Sequence, residues 1–164
     1  MIDIVVKFYG PDLLGESKIS EHEGWIDGHS YSESMSSPNS TGTGSGNTTG
    51  RCTFHDVSFT GSEGVHSALL RNYMGTNQIF DKVEVHFLKQ LKDNVIKPYQ
   101  IRTFEKVLIT NMSAGKVNDN GMDEHWSFSA AKVSWDYKKQ DDKGDLVAGG
   151  TASFDQQAST GTNG

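Results

Sequence analysis

The sequence predicts a mainly-β domain, a barrel or curled sandwich, with one helix and one long extended loop. Three observations predict it. Apolar residues recur at period two over most of the chain, one segment over 63–74 switches to three- and four-residue spacing, and 30–51 is dominated by Ser, Thr and Gly. The 164 residues suit one domain. Residues 1–158 form that domain in this reading, and 159–164 a flexible polar tail.

The strands follow in order. Ile2, Ile4, Val6 and Phe8 alternate with Asp3 and Lys7, although Val5 makes the second face partly apolar. Val83, Val85 and Phe87 alternate with Glu84 and His86. Tyr99, Ile101, Val107 and Ile109 share one parity, with Arg102 and Lys106 opposite. Ala131, Val133, Trp135 and Tyr137 follow, then Leu146, Ala148, Ala152 and Phe154. Parity changes between Phe54 and Val57 and between Ala130 and Ala131. One extra residue in a strand does this, so β-bulges are expected near His55-Asp56 and Ala130-Ala131, and bulges bend strands as a barrel requires.

Over 63–74, Val65, Ala68, Leu69 and Tyr73 share a helical face, which predicts that they pack on the core. Ser62 is the expected N-cap, Glu63 suits the first turn, and Gly75 is the expected stop. In 30–51, glycine at every second residue buries no apolar area and carries a high backbone entropy cost. A loop of about 20 residues between two strands is either mobile or ordered by a partner.

Composition narrows the function. With 34% hydrophobic residues and a mean hydropathy of -0.55, much of the chain must face water or a polar interface. A net charge of -6 without clustered Lys and Arg argues against nucleic acid. The apolar runs are too short for a membrane span. Cys52 is the single cysteine, so neither an intrachain disulfide nor a multi-Cys zinc site forms. The first residues lack the basic and then apolar pattern of a cleaved signal peptide, which predicts that any export uses another route.

No catalytic residue, metal site or cofactor is expected. Glu21-His22-Glu23 supplies ligand types, but neighbours on an extended chain point apart. Asp123-Glu124-His125 and His55-Asp56 read as exposed or bulge residues, and Cys52 as a small apolar side chain. The Gly-rich loop lacks the GxxxxGK[ST] pattern of a phosphate cradle.

Taken together, these segments resemble the Hcp (hemolysin-coregulated protein) family of bacterial type VI secretion, over nearly the whole chain. Asp3 to Phe8 followed by Gly15-Glu16-Ser17 is similar to the family's first strand and GES motif. His22 to Asp27 resembles its HxGxI-[DE] segment, and Val57-Ser58-Phe59-Thr60 its LSFTK segment, with Gly61 in place of Lys. Ser67-Ala68-Leu69-Leu70 matches the S-x-A-L helix core. Ala130 to Tyr137 and Gln140 to Gly144 resemble its F-A-K-V-x-x-x-Y and Q-x-x-x-G hairpin. Arg71-Asn72-Tyr73-Met74 is bulkier than the small residues of many members, and Trp126 is large for its strand.

The resemblance implies a two-sheet β-barrel with one helix, assembled as a homohexameric ring. Rings would stack into a tube that carries effector proteins. Expected partners are further copies of the chain, sheath, spike (VgrG-type) and baseplate proteins, with no nucleic acid and no membrane insertion. The implied location is the bacterial cytoplasm, followed by secretion through the type VI system.

Within that frame the extended loop has a use. Tyr31, Ser34, Met35, Ser36, Asn39, Thr43, Gly44, Ser45, Gly46, Asn47 and Arg51 would lie across the adjacent ring and gain backbone hydrogen bonds. Two other readings compete. One is a monomeric β-sandwich that binds carbohydrate on Trp25, Tyr31, Trp126 and Trp135. The other is a small hydrolase using His22 or His125.

Overall fold

The computed structural model describes residues 3–38, 51–119, 121–158 and 160–163. Its strands are β1 (Ile4–Tyr9), β2 (Ile26–Ser32), β3 (Met35–Ser36), β4 (Thr53–Phe54), β5 (Val57–Ser62), β6 (Ile79–Gln90), β7 (Ile96–Asn118), β8 (Gly121–Gln140), β9 (Leu146–Asp155) and β10 (Thr160–Asn163). The helix is α1 (Ser67–Gly75).

The main sheet runs β10-β9-β8-β5-β2-β1-β6-β7, and β7 also pairs with β8. That last pairing closes a barrel of β8, β5, β2, β1, β6 and β7, all antiparallel. The long strand β8 changes partner along one edge. It pairs with β5 from Asp123 to Phe128 and with β9 from Lys132 to Gln140. Strands β3 and β4 form a separate two-stranded ribbon.

The inward residues form one aromatic-rich core. Phe8 meets Phe80 at 4.9 Å between ring centroids, and Phe104 meets Phe128 at 5.1 Å, with Phe59, Trp126 and Val133 around them. A second, smaller cluster of Val5, Trp25 and Leu88 lies outside this core. It explains why Val5 interrupts the alternation of the first strand.

Neither expected bulge is found where parity changes. At His55-Asp56 the chain leaves the ribbon for the barrel, so the two phases belong to different sheets. At Ala130-Ala131 the β7–β8 register runs through unbroken, Glu105 opposite Lys132 and Val107 opposite Ala130. The flip is shared by both strands: Phe104 and Val107 are both buried, and Lys106 between them has φ 53°. Lys106 and Phe104 therefore break the single parity expected for this segment. Register slips instead between Ile109 and Asn111. Gly61, where the family carries Lys, is required by a close approach, since a Cβ there would lie 2.6 Å from the Asp27 carbonyl.

The helix begins later than its sequence pattern predicts. Ser62 ends β5, and the Glu63 N–H is taken by the Met122 carbonyl at 2.9 Å, so neither caps a helix. Gly75 is the last helical residue, and the left-handed position after it is Asn77, φ 54°. Starting at Ser67 turns the helix so that Leu70 points into the core at 0% exposure. Val65 and Leu69 stand 61% and 42% exposed, and Ala68 is exposed too. Of the four residues expected to pack inward, only Tyr73 does, its ring 5.5 Å from Phe80.

A buried carboxylate fastens α1 to the wall. Glu124, on β8, accepts hydrogen bonds from Ser67 Oγ and Trp126 Nε1, each 3.0 Å, and its other oxygen lies 2.7 Å from Arg71 Nη2. His66 Nε2 is 3.6 Å away, and burial holds that imidazole below its ordinary pKa. Arg71 and Trp126, both large beside the family pattern, thus meet on one anion, with the guanidinium 6.0 Å over the indole.

The expected flexible tail is partly structured. Thr160 to Asn163 pair with Asp155 to Ala152. The Asp155 carboxylate accepts from the Gln157 and Ala158 N–H groups at 2.9 and 3.0 Å, which turns the chain back on itself.

Because Leu70 is enclosed and Leu69 is not, Leu70→Ala should destabilise an isolated protomer by about 2–5 kcal/mol. Leu69→Ala should stay within about 0.5 kcal/mol. Urea titration in dilute solution measures both.

Candidate assembly surface

A closed barrel leaves few groups free to act, so the surface features that stand out among the described residues are the ribbon of β3 and β4 and the outer face of α1. The root of the arm is built from its own short alternation. Met35 pairs with Phe54 and Ser36 with Thr53. The His55 N–H donates to the Ser34 carbonyl at 2.9 Å, and Ser36 Oγ lies 2.7 Å from His55 Nε2.

Phe54 fixes this ribbon to the barrel. Its buried ring sits 6.1 Å from both Phe104 and Trp135. Its N–H donates to Gln156 Oε1 at 3.0 Å, while Gln156 Nε2 donates to the Ala130 carbonyl at 2.8 Å. On the incoming side, Glu33 accepts from Arg102 Nε at 2.8 Å and Trp135 Nε1 at 3.2 Å. On the outgoing side, Arg51 Nη2 donates to the Gln157 carbonyl at 2.6 Å. The described residues at either end of the loop are therefore tied to β7, β8 and the turn after β9.

The arm residues expected to stack rings divide into three groups. Tyr31 belongs to the barrel strand β2: its ring packs on Phe87 at 5.0 Å, and burial pushes its phenol pKa up. Ser34, Met35, Ser36 and Arg51 form the root, with Met35 exposed. Asn39, Thr43, Gly44, Ser45, Gly46 and Asn47 lie outside the described residues. Sequence reading missed Glu33, Phe54 and Gln156 as anchors. Each works through a partner about 26 to 102 residues away, so no local pattern marks it.

The competing chemistries find no support in this geometry. Trp126 and Trp25 are buried, and Tyr31 and Trp135 pack against the core, so the aromatics do not form a sugar platform. Glu21 turns to Lys97 at 2.8 Å while His22 turns to His86, so the Glu-His-Glu run diverges. Among the described residues, no group of three or more His, Cys, Asp or Glu is placed to hold a metal. Among the described residues, no helix is long and apolar enough to cross a membrane.

Comparison with known proteins agrees with the architecture. The family model described as "Type VI secretion system effector, Hcp" matches residues 5–137. Among solved structures, one described as a type six secretion system protein superposes with a TM-score of 0.87 at 19% identity, covering 99% of this chain and 100% of that one. Hcp1 from E. coli EAEC 042 pathovar gives 0.75 at 18%, covering 95% and 99%. Hcp1 from Salmonella typhimurium gives 0.74 at 17%, covering 98% and 99%. At these identities the likeness is one of fold. A search of curated protein sequences finds no match.

Phe54→Ala should free the root of the arm. Hydrogen exchange over 33–38 and 51–56 should rise at least tenfold, while β7 and β8 keep their protection, because a truncated Phe forfeits about 3–5 kcal/mol of packing.

Proposed function

This chain belongs to the Hcp family of type VI secretion and is a structural tube subunit; we propose that about six copies close into a ring, that rings stack, and that the tube carries and delivers effector proteins. The observation that carries the assembly reading is the outer face of α1. Ala68 and Leu69 on α1, with Val65 in the turn just before it, form an apolar stripe that the protomer's own barrel leaves uncovered. An exposed stripe of this kind on a helix pinned by buried ionic contacts is a docking face, and a second copy of the chain covers it.

Ring closure is heterologous in this reading: the helix face of one copy meets a different surface of the next. The arm acts between rings. Its Ser-, Thr- and Gly-rich residues, 39–50, lie along the neighbouring ring and gain backbone hydrogen bonds, each contact weak because ordering the arm costs entropy. Around a ring these contacts act together. The role is structural, and sheath, spike and baseplate proteins are its partners within the type VI apparatus. Export of the tube follows from the apparatus itself.

Light scattering on a sizing column should give a mass of about six protomers for the native chain. Leu69→Asp or Val65→Asp should give monomers with unchanged circular dichroism. Deleting 39–50 should leave rings intact under the microscope and abolish stacked tubes. A native monomer at high concentration overturns the ring, and loss of rings together with stacking in the deletion overturns the role given to the arm.

A further inference from the structure

Residues 15–25 double back across the outside of β1 and β6. Gly15 N–H donates to the Gly24 carbonyl at 2.7 Å, and Ser17 N–H to the Trp25 carbonyl and Gly24 N–H to the Ser17 carbonyl at 2.9 Å each. Under this segment lies the small cluster of Val5, Trp25 and Leu88, with Ile19 and Ile96 packed on it. Against that cluster two histidines touch. His22 Nε2 is 2.9 Å from His86 Nδ1, the rings near perpendicular, and both rings contact Trp25 at 4.8 and 4.5 Å between centroids.

The hydrogen bonds dictate where protons sit. His22 Nδ1 is 3.3 Å from the Ser20 carbonyl, which only accepts, so this nitrogen carries hydrogen. One hydrogen lies between His22 Nε2 and His86 Nδ1, and either ring nitrogen can carry it while the other accepts. His86 Nε2 lies 3.3 Å from the Glu84 carboxylate, a second acceptor. His86 thus has acceptors for hydrogens on both nitrogens. A second hydrogen between the two rings would set N–H against N–H at 2.9 Å with no acceptor.

The neighbours complete the charge map. Glu84 also takes Lys82 at 3.1 Å and the Tyr9 hydroxyl at 3.4 Å. Lys7 lies 6.0 Å over the Trp25 ring. Glu21 and Glu23 flank His22 in the chain, and Glu21 is held by Lys97 at 2.8 Å. Burial foremost, with the charge of His86 behind it, keeps the His22 pKa below its ordinary 6.5. The bond from His86 leads the causes that draw Glu84 down to about 2.

We propose that His22 and His86 form an acid-sensitive latch, which holds 15–25 on the barrel while one hydrogen is shared between the two rings and releases it when acid adds a second. The released segment lifts its Trp25 contacts with it. The sign follows from linkage. Folded His22 binds a proton less readily than unfolded His22, so its contribution is complete above about pH 6.5 and is lost as the pH falls below that value. The contribution of Glu84 is present above 4.5 and is lost only as the pH falls towards about 2, so the two steps separate. All the contacts of the latch lie within one protomer.

Hydrogen exchange on the full chain, corrected for the intrinsic rate at each pH, reads the latch directly. Protection of 15–25 should fall by up to about tenfold between about pH 7 and about pH 5.5, while β7 and β8 keep theirs. His22→Gln, whose amide oxygen still accepts from His86 but takes no proton, should abolish that dependence. Should the variant fail to fold, NMR on the native chain should show the His22 ring titrating below the pH of a free histidine. The latch is overturned by protection of 15–25 that does not fall more than that of the barrel strands, by a pH dependence retained in His22→Gln, or by a His22 ring that titrates like free imidazole.

Discussion

The pairing of β7 with β8 is the interaction on which the rest of the molecule depends. It runs from Gln100 opposite Tyr137 to Asn118 opposite Gly121 and turns an open sheet into a closed wall. Closure satisfies backbone groups that would otherwise be sheet edges and encloses Phe8, Phe59, Phe80, Phe104 and Phe128 on every side. Every surface feature described above is fastened to these two strands or to those they enclose.

The helix and the arm show what such a wall makes possible. Glu124 can be buried because four polar groups converge on it, and breaking such a cluster from one side would leave an unpaired charge in the wall. That fixed anchor lets α1 keep an apolar face outward without rolling it into the core. At the arm, Phe54, Glu33 and Gln156 do the same with a plug and two sets of hydrogen bonds.

Much of the fold is legible in the sequence because period-two burial is a local property. Val83 and Val85, or Ile4, Val6 and Phe8, announce their strand by spacing alone. The same rule fails at the ends of elements. Ser62 and Glu63 read as a helix start, yet the Glu63 N–H belongs to Met122, 59 residues on in a different strand. The helix then begins at Ser67, and Ser67, Leu70 and Arg71 are the residues it turns to the barrel wall.

Parity changes were visible as well, but not their cause. A change of phase is the same in sequence whether a strand bulges, changes partner or passes between sheets, and His55-Asp56 and Ala130-Ala131 are not bulges. By itself the sequence determined the β class, the presence of an α-helix after the fifth strand and the family likeness, because each is written in the spacing and order of neighbouring residues. Only the tertiary structure decided that Leu70 and not Leu69 is enclosed, that Glu124 is the helix anchor, and that His22 meets His86, 64 positions further along the chain. Those outcomes depend on which distant strands lie side by side, and barrel closure, not local spacing, sets that.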